Sequence, residues 1–326
     1  MKKERIRNYE DEELKKRAAS NEKLNIRLTN NYAFQKIFKN KDIVKGFLMA
    51  LLHLKEKQIK NIEIVDPFTS GSNEREKEGI LDIKLTLNGN RKINIEMQNT
   101  YQKDWAERSI FYNCRMFIDG FKKGQTYDEL PPCIHVGILD FNQLKSPGYY
   151  HKISLMDEET NESYSRKIQF HVLELKKLKQ TKSRGRKQAL YRWAKLIAAN
   201  TWEEVEAESE GNSYMERAMN EMVKISQDEM ERYLYLREEM AESDRVSQLE
   251  SAKDIGREEG RREGRGEGEI LKLISQVKKK KLKGDSIAKI ADDLVEEITK
   301  IQPIFDAITE HPKATKEEIY DRIKKY

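Results

Sequence analysis

The stretch ILDIKLTLNGNRKINIEMQ, residues 80–98, decides how this chain folds. From Ile80 to Leu87 the sequence alternates, with Leu81, Ile83, Leu85 and Leu87 apolar and Asp82, Lys84 and Thr86 polar. From Arg91 to Gln98 it alternates again, with Ile93, Ile95 and Met97 apolar and Lys92, Asn94, Glu96 and Gln98 polar. Two such runs around Asn88-Gly89-Asn90 predict a β-hairpin. Both apolar sets are odd-numbered, so partners across the hairpin must sum to an even number for one face to be apolar. A two-residue Asn88-Gly89 turn fails that test. A three-residue loop passes it and pairs Leu87 with Arg91, Lys84 with Asn94, Asp82 with Glu96 and Ile80 with Gln98. Opposed side chains have Cβ atoms about 5 Å apart. Two carboxylates at that spacing repel unless a proton or a cation lies between them. Two hard oxygens beside an amide suit Mg²⁺ completed by water. The same alternation would also serve a hairpin with a plainly solvated face.

Outward from the hairpin, the chain reads as mixed α and β. Leu28 to Leu54 carries two short helical stripes broken at Lys39-Asn40-Lys41, and Ile59 to Val65 reads as a strand. Residues 67–78 read as a polar loop. Trp105 to Phe121 reads as a helix with Ile110, Phe117 and Phe121 turned inward. Ile134 to Phe141 and Ile168 to Leu175 read as further strands, and Gln188 to Ala199 as an amphipathic helix. Tyr214 to Leu249 is a long charged helical stretch. Gly256, Gly260, Gly264 and Gly268 recur within Arg/Glu sequence, where each glycine costs a helix about 1 kcal/mol against alanine. The expected organisation is a charged lead-in over 1–24, a core over 25–200, and a charged helical region over 201–255. A weak helix or linker over 256–269 and a small helical unit over 270–326 complete it.

Composition narrows the classes. Of 326 residues, 37% are charged and 37% hydrophobic, which suggests a packed part and a solvated part. Lys and Arg number 62 against 57 Asp and Glu, so the net charge is only +5 and the chain is no polybasic arm. The N-terminus lacks the apolar segment of a signal peptide, and no apolar run is long enough to span a membrane. Two cysteines and no CxxC, HxxxH or HExxH spacing argue against zinc and for a reduced, cytoplasmic setting.

Five segments then occur in one order: LTNNYAFQKIF (28–38), KEGILDIK (77–84), NIEMQ (94–98), RSIFYNCRMF (108–117) and GQTYDEL (124–130). In this they resemble the recombination-promoting nuclease family, also labelled PD-(D/E)XK nuclease family transposases. The similarity is strongest over residues 28–145 and continues more weakly through 214–249 and the glycine repeat. It implies an α/β, restriction-endonuclease-like mixed sheet flanked by helices, followed by a mostly helical C-terminal region. It also implies Mg²⁺-dependent cleavage of DNA, with Mn²⁺ as a substitute ion, and a link to recombination or mobile elements. The family pattern places its two motif acids on Asp82 and Glu96, the pair chosen by hairpin register. It puts Gln98 where the wider superfamily has lysine, and it implies the Met97 carbonyl as a further metal ligand. Asn31 stands where relatives often carry an acid.

Other candidates are less specific. Arg108, Tyr112 and Arg115 share one helix face that could meet phosphate or the carboxylates; an exposed face with a half-buried tyrosine explains them as well. Asn31, Arg108 and Tyr112 are therefore candidates for contacting substrate or supporting the acids. Lys182 to Lys187 and the run Lys278 to Lys281 with Lys283 could meet DNA backbone or simply be solvated. Ser286 to Ile298 has helix-turn-helix spacing, but Asp292, Asp293, Glu296 and Glu297 oppose DNA binding there. His135, His151, His171 and His311 are scattered and are not read as catalytic. The leading expectation is a metal-dependent DNA endonuclease acting as a homodimer. The alternative is a catalytically weak or inactive nuclease-like protein that binds DNA or assembles, as Asn31 and the missing lysine would favour.

Overall fold

The structure, a computed structural model, describes residues 16, 22–65, 68–69, 79–80, 82–180 and 188–324. The basic stretch at 182–187 and most of the lead-in and of the 67–78 loop lie outside the described residues.

Strands β4 (Ile83–Leu87) and β5 (Arg91–Gln98) form the hairpin, with Leu87 paired to Arg91 and Lys84 to Asn94. Its loop places Asn88 and Gly89 at φ 53° and 78°. Asn88 tolerates that conformation because its side chain is tied down: Oδ1 accepts from Lys60 N at 2.8 Å and Nδ2 donates to Gln58 O at 2.8 Å. The ladder ends at Ile83–Ile95, one pair short of the acids. Here the Asp82 carboxylate takes over from backbone pairing, with Oδ2 accepting from Met97 N–H at 2.8 Å. The expected Ile80–Gln98 pair is therefore not made. Instead β2 (Phe68–Thr69) and β3 (Gly79–Ile80) form a separate two-stranded ladder that joins Ile80 to Phe68.

Strands β1 (Ile62–Val65), β4, β5, β6 (Cys133–Leu139), β8 (Ser163–Glu174) and β7 (Tyr150–Met156) make a six-stranded mixed sheet in the order β1-β4-β5-β6-β8-β7. β5, β6 and β8 run parallel, and the remaining neighbours antiparallel. Sequence reading missed two strands: the short β2, which falls within the stretch expected to be a polar loop over 67–78, and β7. β7 is an edge strand of half-buried and exposed residues, and its pairing slips between Ser154 and Met156. Such a strand lacks the apolar contrast that marks the others.

The odd residues of β5 face the main core. Helices α1 (Asn31–Phe38), α2 (Lys41–Leu52), α4 (Gln188–Ala198) and α6 (Ser213–Gln227) contribute to that core. Phe38 lies between a stacked Phe34, with centroids 4.2 Å apart, and edge-on Phe47 and Trp193. Helix α3 (Trp105–Ile118) covers the even face, where Lys92 Nζ donates to Met116 O at 3.0 Å. It buries Trp105, Ser109, Tyr112, Asn113 and Met116. Ile110, expected to face inward, is 50% exposed because the helix turns its Tyr112 stripe to the sheet instead. Helix α5 (Trp202–Ser209) completes this part by burying Trp202 and Val205. The result is the mixed sheet flanked by helices that the sequence leads one to expect.

The chain divides into two units, Met1–Ser243 and Asp244–Tyr326. Helix α7 (Glu229–Leu282) is continuous through all four periodic glycines. The segment 256–269 is thus helical, and the 201–255 region is shared between the units. The second unit has its own core, in which Ile274 and Val277 of α7 meet Ile290 of α8 (Ile287–Leu294). Ile301 and Ile304 of α9 (Ile298–Glu310) and Ile319 of α10 (Lys316–Ile323) close it. Its lysine run is engaged internally: Lys278 donates to Ala314 O, Lys280 pairs with Asp293, and Lys281 lies 3.7 Å from the Phe305 ring centroid. These lysines hold the unit together, so three of the run are not free for phosphate.

Candidate active site

Alternation in β5 points Asn94, Glu96 and Gln98 to the α3 face and Met97 to the opposite core. Asp82 stands at the bend before β4. Its Oδ1 accepts from Gln35 Nε2 of α1 at 3.0 Å, and its Oδ2 accepts from Met97 N–H. Glu96 is 2% exposed, and its Oε1 accepts from Asn94 Nδ2 at 3.0 Å. Among the described residues no other hydrogen bond falls on Glu96, which leaves Oε2 for another ligand.

Burial raises the Asp82 pKa to about 6, and the nearby Glu96 charge pushes it the same way. The Met97 and Gln35 hydrogen bonds and the Arg108 charge offset part of that rise. Burial also raises Glu96, against the lowering effects of Arg108 and Asn94. Two desolvated carboxylates in one place favour a bound proton or a cation.

Arg108 is the positive charge of this cluster. It lies in α3, stacks 5.3 Å from the Tyr112 ring centroid, and donates through Nη1 to Gln102 Oε1 at 3.1 Å. Gln102 Nε2 in turn donates to Gln98 Oε1 at 3.3 Å. The relay Arg108–Gln102–Gln98 thus joins two of the expected residues through one that sequence reading missed. Arg115 lies over the Phe111 ring, 5.7 Å from its centroid.

Asn31 opens α1, one turn before Gln35 on the same face, and its Oδ1 is buried without a hydrogen-bond partner. Gln35, rather than Asn31, is the α1 side chain that touches the acid. His135 is the other unexpected neighbour. It is fully buried, its Nδ1 lies 3.2 Å from Asn94 Nδ2, and burial lowers its pKa to about 3, with Arg108 adding to the effect. It is a neutral ring that orients the amide holding Glu96. Its place depends on parallel pairing of Asn94 with His135, which no local sequence signal reveals.

One further feature shapes the site. Gly137 pairs with Glu96 across β5 and β6, and a Cβ there would stand 2.2 Å from Trp105 Cζ2. The glycine lets α3 bring its indole against the sheet beside the acid.

Comparison with curated proteins finds no match, and comparison with solved structures finds none either. The family described as PD-(D/E)XK nuclease family transposase matches over residues 28–252. That span holds the six-stranded sheet, both acids, Gln35 and Arg108. With the greater part of its length matched, the chain belongs to the PD-(D/E)XK nuclease family transposases.

Proposed function

We propose that this protein is a metal-dependent endonuclease that hydrolyses DNA phosphodiesters. The observation that carries the reading is the desolvated Asp82–Glu96 pair, held by Gln35, Asn94 and the Met97 N–H and faced by Arg108. The donor set fits a hard divalent ion. Among the described residues no three His, Cys, Asp or Glu side chains converge. The protein's share is thus two carboxylates and the main-chain carbonyl of Met97, which suits an ion that keeps several waters. Mg²⁺, or Mn²⁺ in its place, would supply Lewis-acid charge against the phosphate and lower the pKa of a bound water.

The chain's own groups divide the remaining work. Gln35 and Met97 N–H each hold one Asp82 oxygen, which fixes the plane of that carboxylate. Gln102 occupies the Gln98 oxygen and leaves the Gln98 NH₂ to orient water. Arg108 offsets the negative charge of the carboxylates and presents its guanidinium to a phosphate oxygen. Two such centres in a homodimer would cut both strands in one encounter, which makes a dimer the fitting active species. A cytoplasmic setting suits the two free thiols, Cys114 and Cys133. No helix among the described residues is long and apolar enough to cross a membrane.

A second reading, a nuclease-like protein that binds DNA or assembles without cutting, is favoured by the neutral Asn31 and Gln98. Plasmid nicking by the full chain with Mg²⁺ or Mn²⁺ separates the two. Asp82→Ala and Glu96→Gln should each lower the rate by roughly 100-fold or more. Undiminished cleavage by both variants sinks the assignment of the site. Wild-type protein that binds the plasmid but never nicks it selects the second reading.

A further inference from the structure

A second cluster of polar groups lies on the α1/α2 face of the sheet. It sits by the C-terminal end of α2 and the N-terminal ends of the parallel strands. A cavity of about 290 Å³ there is lined by His53, Arg91, Tyr150, Lys152, Arg166 and His171, among others. An adjoining cavity of about 470 Å³ shares Lys152 and Arg166. Among the described residues neither has a carboxylate in its lining, although the chain carries 57 acids. Arg91 opens β5 and Glu96 lies near its other end, so strand rise separates their backbones by roughly 16 Å. The cluster is therefore distinct from the acid pair.

Two observations point to an anion. First, among the described residues the side chains of Arg91, Lys152 and Arg166 make no ion pair or hydrogen bond, unlike the engaged lysines of the second unit. Second, His171 is 1% exposed and lines the cavity with Nε2 buried and unpartnered, while Tyr150 Oη lies 2.8 Å from its Nδ1. Burial raises the Tyr150 pKa to about 12 and lowers that of His171 to about 4, with Lys152 and His53 adding to the histidine's shift. Tyr150 thus keeps its proton and can donate it to Nδ1. The ring's own proton then sits on Nε2, and an N–H at the cavity wall with no acceptor is satisfied by an anionic oxygen.

We propose that this cavity binds a terminal phosphate group. Arg91, Lys152 and Arg166 supply the positive charge, and His171 Nε2–H donates from the buried wall. A terminal phosphate projects three unesterified oxygens and can reach a buried donor, whereas a phosphodiester within a duplex is flanked by sugars on both sides. The source is either a free phosphate or the phosphorylated end of a nucleic-acid strand.

The test is calorimetric titration of the full chain, without divalent metal, with inorganic phosphate at fixed ionic strength. A second arm compares one oligonucleotide carrying a 5′-phosphate with the same oligonucleotide carrying a 5′-hydroxyl. Saturable phosphate binding is expected, weakened at least tenfold by Arg166→Ala and by Lys152→Ala. Both positions are exposed, so these variants should fold. Lys60→Ala, outside the cavity, should bind as wild type does, and so should Asp82→Ala. That last variant keeps this site's test separate from the nuclease reading. A preference for the 5′-phosphate strand identifies a strand end as the source; phosphate binding without that preference identifies a free phosphate. Absence of saturable binding by every probe overturns the proposal, as does wild-type affinity in both cavity variants.

Discussion

Asp82 is held by a helix side chain and a strand N–H, and each contact has a measurable consequence. Gln35→Ala removes one support without touching the acid's charge. Loss of such an outer contact should cost about 10- to 100-fold in metal affinity or cleavage rate. Mg²⁺-dependent nicking by that variant checks it, and wild-type rates would show that Gln35 is only packing. The buried histidines give a second prediction. Burial holds His135 and His171 neutral, with pKa values lowered from 6.5 to about 3 and about 4. Between pH 6.5 and 4 the unfolded chain takes up protons that these native rings refuse. Their contribution to stability is therefore complete above pH 6.5 and is lost as pH falls. Asp82 acts with the opposite sign, because its native carboxyl binds a proton near pH 6 and gains stability as pH falls. The two effects separate only by difference. His171→Gln should flatten the fall in stability between pH 6.5 and 4 by on the order of 3 kcal/mol. Urea melts across that range read it, and parallel wild-type and variant profiles would contradict it. Asp82 and Glu96 were legible in the sequence because alternation fixes which side chains share a face. Gln35, Gln102 and His135 were not, because helix packing and parallel pairing bring them to the acids and neither leaves a local pattern.

Among the elements, β6 governs the site through its smallest residue. Gly137→Ala would drive a methyl into the Trp105 indole, and overpacking of this kind costs about 1–3 kcal/mol. Because Gly137 pairs with Glu96, the displaced helix should also reduce cleavage. A lower denaturation midpoint together with slower nicking is expected; loss of stability with full activity would detach the indole from the site. The end of β8 is fixed differently. Glu174 is fully buried, pairs with Lys177 Nζ at 2.6 Å and His151 Nε2 at 3.0 Å, and accepts from Leu144 N at 3.0 Å. Lys177 in turn donates to Leu144 O and Ser146 O, each at 2.6 Å. This network anchors the chain between β6 and β7. Removing one partner strands a buried charge, so Lys177→Met should destabilise the fold by about 3–5 kcal/mol. Chemical denaturation measures that loss, and a change under 1 kcal/mol would mean that solvent reaches the carboxylate. The sequence marks these strand ends poorly, because Glu174 and Lys177 look like surface residues until burial is known.

At the level of the whole molecule, equal charged and apolar fractions resolve into a sheet-centred unit and a smaller helical unit with its own core. The near-cancelled net charge conceals local arrangements: an acid pair beside Arg108, a cavity whose charged lining among the described residues is Arg91, Lys152 and Arg166, and a lysine run engaged within the second unit. The glycine repeat connects composition to dynamics. Gly256, Gly260, Gly264 and Gly268 lie inside α7, and a Cβ at any of them would meet no atom within 4 Å. Close packing therefore does not account for these glycines. What they do is weaken an exposed helix, each by about 1 kcal/mol against alanine. Local opening of α7 should concentrate there, between flanking turns that are better helix formers. Replacing one glycine by alanine, as in Gly264→Ala, should slow amide exchange in that segment about fivefold, the factor that 1 kcal/mol represents. Exchange in the sheet, protected by the first unit's core, should not change. Exchange that slows equally in both places would mean that α7 opens only with global unfolding, and the glycines would then set no separate local stability.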